Sequence, residues 1–409
     1  MEAVSSARLP LVLRERNFGL LWLGQVLSQG GKQLYQMAVV WWIVQSLPQA
    51  RSGIALALFL VTVAAPSLLL HRRLGQTVDR SAPRGLLVGA DLTAAFSVAL
   101  AAALFSVHVM PVWGVYVIGF AVAASQGLID PGLNKALPGV VAEEDLEVAL
   151  AFQSSTQSVA SFGGAVAGAV LLSRLGVAGV AVLNALTYGL SALCTASVRF
   201  GVSAPAAVEA VAADSTQKVT EGMPFTRAAL GTFAAVNFFG VPTLLLLPLY
   251  TRSVFHGGAS LMAALESSVC LGMILGAALG PRLPKPQSLA RFGAAALGFF
   301  GVALAMPGLA PRLAVLAPAL VAAGAAIGVL NVKFLAFFQE RVPAERKGRF
   351  FAALQAAVSA AFPIGYLVFG FLSSQLAPPS LSLIQGAGVL AVSAVFLTLR
   401  GVEVREVAA

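Results

Sequence analysis

Residues 53–107 read GIALALFLVTVAAPSLLLHRRLGQTVDRSAPRGLLVGADLTAAFSVALAAALFSV. Two apolar runs, 53–71 and 86–107, flank a joint that carries Arg72, Arg73, Asp79, Arg80 and Arg84. Each run is about the 20 residues that an α-helix needs to cross hydrocarbon, and the joint suits a turn at the membrane surface. The same alternation extends over the whole chain. The expected spans are 18–46, 53–71, 86–107, 112–133, 147–172, 177–198, 226–250, 258–280, 290–308, 312–336, 350–374 and 381–399. An even number of crossings returns both termini to one side.

Composition agrees. Of 409 residues, 58% are AVILMFWYC, and the 40 glycines bring the apolar share to roughly 68%, against about 45–50% in soluble domains. Charged residues are 11% of the chain and the mean hydropathy is +0.87, so the outer surface itself must face lipid. No room is left for a large soluble domain. The net charge of +9 reports topology rather than nucleic-acid binding. Cys194 and Cys270 sit inside apolar runs and give neither a disulfide framework nor a metal-ligand spacing. Residues 1–17 read as a cytoplasmic tail before an uncleaved first helix.

The basic residues set the orientation. Twenty of the 26 Lys and Arg fall in one set of connections, among them Arg14, Arg73, Lys135, Arg199, Lys285 and Arg346, and the opposite set holds only Arg51, Arg174, Arg252 and Arg312. Lys32 and Lys333 lie inside spans. Both termini are therefore expected in the cytoplasm, and the chain in the cytoplasmic membrane. The polar stretch 201–224 reads as a linker between an N-terminal bundle, 1–200, and a C-terminal bundle, 225–409. Val141-Ala-Glu-Glu144 and Val342-Pro-Ala-Glu345 recur at an offset of 201 residues, as a tandem repeat of six spans requires.

With this architecture, the joint Gly75-Gln-Thr-Val-Asp79-Arg80-Ser-Ala-Pro83-Arg84 resembles the loop pattern G-x-L-x-D-R-x-G-R-R of the major facilitator superfamily, matched at Gly75, Asp79, Arg80 and Arg84. The resemblance implies an all-α membrane fold of twelve helices in two pseudo-symmetric six-helix bundles. It also implies a gating loop, with Gly75 allowing a close helix approach and Asp79 accepting from amides or arginine. Asp130-Pro-Gly-Leu-Asn-Lys135 and Gln339-Glu-Arg-Val-Pro343-Ala-Glu-Arg-Lys-Gly348 are similar to loops of its macrolide-efflux and enterobactin-exporter branch. Ser161-Phe-Gly-Gly164-Ala-Val-Ala-Gly168 is similar to an antiporter element in which a proline is replaced by Gly164. Two positions depart from the relatives: Ala123 stands where the exporter pattern R-x-x-Q-G has arginine, and Lys32 follows Gly31 where an aspartate is common.

The resemblance implies a monomeric secondary transporter, not an enzyme, that exports amphiphilic small molecules in exchange for protons, with no cofactor. A lysophospholipid or lipid transporter of the same fold, its anionic headgroup near Lys32, is the alternative, and an intramembrane enzyme or receptor-like binding protein is a third reading that no paired carboxylates, Ser/His constellation or metal ligands support. No G-x-x-x-x-G-K-[ST], H-E-x-x-H or His/Cys cluster points to ATP-driven, metal-dependent or hydrolytic chemistry. In the first span Gln25, Gln29, Lys32 and Gln36 occupy one helical face, which must avoid lipid and is expected to line the substrate cavity or bond a neighbouring helix. Gln153, Gln157, Asn237 and Gln355 are further cavity candidates, with Asn184 and Tyr188 beside them. Glu266, near the middle of the eighth span, reads as a proton-coupling carboxyl or a partner of Lys32. Asp91 and Asp130 are the other candidate proton-coupling groups, with snorkelling or gate contacts as the plainer reading of both and of Lys135, Asn331 and Lys333.

A reporter domain placed after Gly201 or at the C-terminus is expected to face the cytoplasm, and one near Arg51 or Arg312 to face outward. Outward reporting from the central linker would break the twelve-span reading.

Overall fold

The structure, a computed structural model, describes residues 11–201 and 223–399. Among them the first eight helices are α1 Leu11–Arg14, α2 Arg16–Ser46, α3 Gln49–Leu69, α4 His71–Arg80, α5 Pro83–Ser106, α6 Val112–Gln126, α7 Ile129–Ala136 and α8 Leu146–Ser197. Seven follow the central stretch: α9 Pro224–Gly240, α10 Thr243–Ser253, α11 Ala259–Leu279, α12 Leu289–Leu309, α13 Leu313–Arg341, α14 Ala344–Leu372 and α15 Pro378–Thr398. No strand occurs among the described residues. Most of the expected linker, 202–222, lies outside them.

Every stretch expected to span is mainly helical. Ten stretches of the described residues are long and apolar enough to cross a membrane. The other two expected spans correspond to α2, whose polar face depresses its hydropathy, and the first half of α8. Large apolar side chains stand on the outer surface, Phe96 at 74% and Trp113 at 68% exposure, as a lipid-facing surface requires.

Three helix interruptions were placed or missed by sequence for clear reasons. Gly176 divides α8 with φ 65° and ψ −179°, a conformation open to glycine, where the break between the fifth and sixth spans was expected. The fourth span, expected to be continuous to residue 133, instead breaks between α6 and α7. There Pro131 has no N–H to give the Gly127 carbonyl. The seventh span breaks between α9 and α10, where Pro242 cannot donate to Phe238. Gln385, 1% exposed, donates to the nearby Phe239 carbonyl at 2.9 Å and keeps this interruption satisfied inside the protein.

Contacts divide the chain into two compact units, one of residues 1–42 and 62–208, the other of 43–61 and 209–409. In unit 1 the core gathers Phe18, Leu21, Leu87, Ile129 and Leu133, and α5 packs along α8. Unit 2 is built on phenylalanine: the ring centroids of Phe334 and Phe396 are 5.6 Å apart and those of Phe338 and Phe350 are 4.9 Å apart. The segment 43–61 joins unit 2 through close contacts of Gly53 with Ser373 and of Gly370 with Ala57. Arg252 also donates to the Val44 and Leu47 carbonyls at the end of α2.

The tightest packing in unit 2 is α11 on α13, where Gly272 and Gly276 meet Gly324 and Gly328. A Cβ built on Gly272 would lie 2.9 Å from the Ala325 amide nitrogen, and one on Gly324 would lie 2.9 Å from that of Met273. Both obstacles are backbone, which cannot swing aside. This is the small-xxx-small contact by which helices associate in lipid, where dispersion replaces the hydrophobic drive. Gly324→Leu is expected to destabilise unit 2 by about 3 kcal/mol or more through overpacking. Gly231→Leu, at a site with no atom within 4 Å of a built Cβ, should change stability little. Thermal unfolding of the two variants in detergent checks this, and equal melting temperatures would contradict the packing account.

Candidate functional site

In unit 1 the polar face of α2 is turned inward. Gln25 is 6% exposed, and both atoms of its carboxamide lack a hydrogen-bond partner. Gln29, Lys32 and Gln36 are half-buried. Gln25 and Gln29 meet Gln153 of α8 and Asp130 of α7 around a cavity of about 20 Å³, beside Trp22 and Thr156. That space suits about one water, and the unpaired Gln25 amide and Gln153 carbonyl give it hydrogen-bonding walls. Trp22 Nε1 donates to Thr156 Oγ1 at 2.5 Å and fixes the indole across the helix pair. The charge acting on Lys32 within the unit is that of Asp130.

Deeper in unit 1, Asp91 of α5 is fully buried rather than snorkelling. Its carboxylate accepts from Ser28 Oγ of α2 at 3.2 Å and from Ser191 Oγ of α8 at 2.6 Å, so one side chain ties three helices. Gln126 lies beside it with both amide atoms unpaired. The Asn184 Nδ2 and Tyr188 Oη atoms are likewise buried without partners. Ser28 and Ser191 escaped the sequence reading because a serine in an apolar run looks like a small packing residue. The depth of Asp91 was the available signal, since a buried carboxylate demands donors from its neighbours.

In unit 2, Asn237 donates through Nδ2 to the Phe233 carbonyl at 2.8 Å. It lines a cavity of about 190 Å³ together with Thr232, Phe233, Asn331 and Phe334. Glu266 is half-buried on α11 and makes no hydrogen bond or ion pair with the described residues of its own unit. Gln355 is exposed, with Ser359 Oγ at 3.5 Å from its Nε2. The Gln157 side chain lies outside the described residues. Thus Gln25, Gln29, Gln153 and Asp130 come together, Asn237 stands in the unit 2 cavity, and Lys32, Gln36, Glu266 and Gln355 line neither cavity. Among the described residues no group of three His, Cys, Asp or Glu side chains could hold a metal ion.

The expected gating loop is largely helix: Gly75, Asp79 and Arg80 lie on α4, and Arg84 opens α5. No atom lies within 4 Å of a Cβ built on Gly75, so the close approach expected there is not made. The Asp79 carboxylate has no hydrogen bond or ion pair among the described residues of its unit. Its backbone is held instead. Lys135 Nζ of α7 donates to the carbonyls of Val78, Asp79 and Ser81 at 2.7, 2.9 and 3.0 Å, capping the negative end of α4. Arg84 donates to the Ala196 carbonyl near the end of α8. Unit 2 repeats the device, because Lys333 Nζ of α13 donates to the carbonyls of Leu283 and Pro284 at 2.6 and 3.2 Å, just beyond α11. The two lysines, expected to make gate contacts or to snorkel, thus donate to carbonyls at helix ends.

Residues 21–365 match the family model of the Major Facilitator Superfamily. The chain is 24% identical over 391 residues to macrolide efflux protein A of Streptococcus pyogenes, covering 92% of this chain and 94% of that protein. It is 26% identical over 306 residues to macrolide efflux protein A of Enterococcus faecalis, covering 71% and 93%. Among solved structures, a bacterial homologue of the iron transporter ferroportin in an inward-facing state gives a TM-score of 0.73 at 15% identity, covering 94% of this chain and 98% of that one. At that identity the likeness is one of fold.

Lys135→Met keeps the length of the stem but removes three charge-assisted bonds to α4, and is expected to lower stability by about 1–3 kcal/mol. Asp79→Asn, which alters a carboxylate with no partner in its unit, should leave the melting temperature unchanged. Equal melting of Lys135→Met and the unaltered protein in detergent would refute the capping role.

Proposed function

The chain belongs to the major facilitator superfamily, and from that premise we propose that it is a secondary active exporter of amphiphilic small molecules, macrolides among them, driven by the proton gradient. The observation that carries this reading is the match to macrolide efflux protein A over more than nine-tenths of both chains. The exporter works as a monomer in the cytoplasmic membrane with both termini inside, by alternating access of the two units. Gln25 and Gln153 offer unpaired carboxamide atoms to water or to the polar groups of the cargo, Gln29 lines the same cavity, and Lys32 and Gln36 continue that face.

Protons travel on carboxyls. Glu266 has no cation beside it in its own unit, and Asp91 is held by two hydroxyls and no cation. Each can therefore take up a proton from one side of the membrane and release it to the other as water access changes. Asp130, between Lys32 and the Gln25 cavity, couples cargo binding to that exchange. Asp79, Arg80 and Arg84 act in switching, with α4 held by Lys135 and the Asp79 carboxylate available to a partner in the alternate state.

Glu266→Gln imitates the protonated acid but releases nothing. It is expected to cut gradient-driven macrolide transport ~10-fold or more while substrate exchange without a gradient persists. Undiminished coupling in this variant would remove Glu266 from the proton path.

A further inference from the structure

The two units differ in how their interiors are finished. All buried side-chain atoms without hydrogen-bond partners among the described residues belong to unit 1, at Gln25, Gln126, Gln153, Asn184, Tyr188 and Thr195. Unit 2 has none among its described residues and holds the larger of the two spaces, about 190 Å³ lined by α9, α12, α13 and α14. Its walls are chiefly Phe233, Phe334, Ile327 and Val358. A closed apolar cavity of about 150 Å³ stays dry and binds benzene. The unit 2 cavity shares the apolar walls and is slightly larger, but it opens on the side of the exposed Asn331.

Its polar groups are few and directional. Asn237 uses Nδ2 on the Phe233 carbonyl, leaving Oδ1 as an acceptor, and the exposed Asn331 carboxamide makes no hydrogen bond among the described residues. Thr232 is turned back on its own helix, donating to the Ala228 carbonyl at 3.0 Å. The rim can therefore engage a hydrogen-bonding substituent through Asn237 Oδ1 and the Asn331 carboxamide, while the rest of the lining is apolar.

From these features we infer that the unit 2 cavity is a binding site for a single aromatic ring, or a branched alkyl group of ring size, bearing one hydrogen-bonding substituent directed at Asn237 and Asn331. The ring packs against the touching pair Phe233 and Phe334, whose centroids are 6.0 Å apart, where edge and face contacts reward an aromatic guest. Its assignment to the transported cargo rests on the exporter reading; the site itself rests on the cavity.

The test is site-directed alkylation of the purified full chain in detergent, with Cys194→Ser and Cys270→Ser as background. Ile327→Cys places a thiol in the cavity wall, and Leu335→Cys places one further along the same helix, outside the cavity lining, where Leu335 is 47% exposed. Benzyl alcohol is expected to slow N-ethylmaleimide labelling at Ile327→Cys by ~3-fold or more, read by intact mass, and to leave Leu335→Cys unaffected. Tetramethylammonium should protect neither. If Ile327→Cys does not fold, Val358→Cys carries the same comparison from the opposite wall. Equal protection at both thiols, or none at the cavity thiol, overturns the site. Because labelling needs no transport, a failure of macrolide export would defeat the exporter reading and leave this inference standing.

Discussion

A polar group inside hydrocarbon finds no water, and the structure is arranged around that deficit. It makes every described span a helix, since only a helix closes its own backbone bonds. It turns the glutamines of α2 inward and buries Asp91 beneath two serine hydroxyls. It also explains why Gln385 is buried beside the one interruption of the seventh span, where its amide reaches the Phe239 carbonyl. Where no polar group needs a partner, as between α11 and α13, glycines let the backbones touch.

The same constraint acts at helix ends, whose last carbonyls have no partner within the helix. Lys135, Lys333, Arg84 and Arg252 all answer it by donating to carbonyls at or just past the C-termini of other helices. A basic residue at the membrane surface therefore has two tasks. It biases orientation, and it holds a neighbouring helix end in place. The recurrence of a lysine cap after α4 and again after α11 is a structural echo of the tandem repeat, clearer than the four-residue match at an offset of 201.

Hydropathy alone located the helices because a lipid-facing surface leaves a continuous apolar record. The breaks at Gly127 and Val241 were less legible, since Pro131 and Pro242 remove one hydrogen bond each without interrupting the apolar run. The joint after α3 looked like loop because it is charged, yet α4 forms there as an exposed amphipathic turn of helix held by Lys135. Depth along a span could be counted from sequence, and it marked Gln25, Asp91 and Glu266. Partnership could not, because Ser28, Ser191 and Asp91 are 63 and 100 residues apart in pairs and meet only through packing. The apolar cavity of unit 2 was visible only as Asn237, since apolar walls carry no distinctive signal in a chain that is 58% hydrophobic.

We propose that a proton gradient drives outward movement of an amphiphile through this chain. The most direct test is uptake of a radiolabelled macrolide by inside-out proteoliposomes with an acidic lumen. The account predicts accumulation that appears with the gradient and collapses when a protonophore is added. Accumulation indifferent to the protonophore, or none with correctly folded protein, would contradict it.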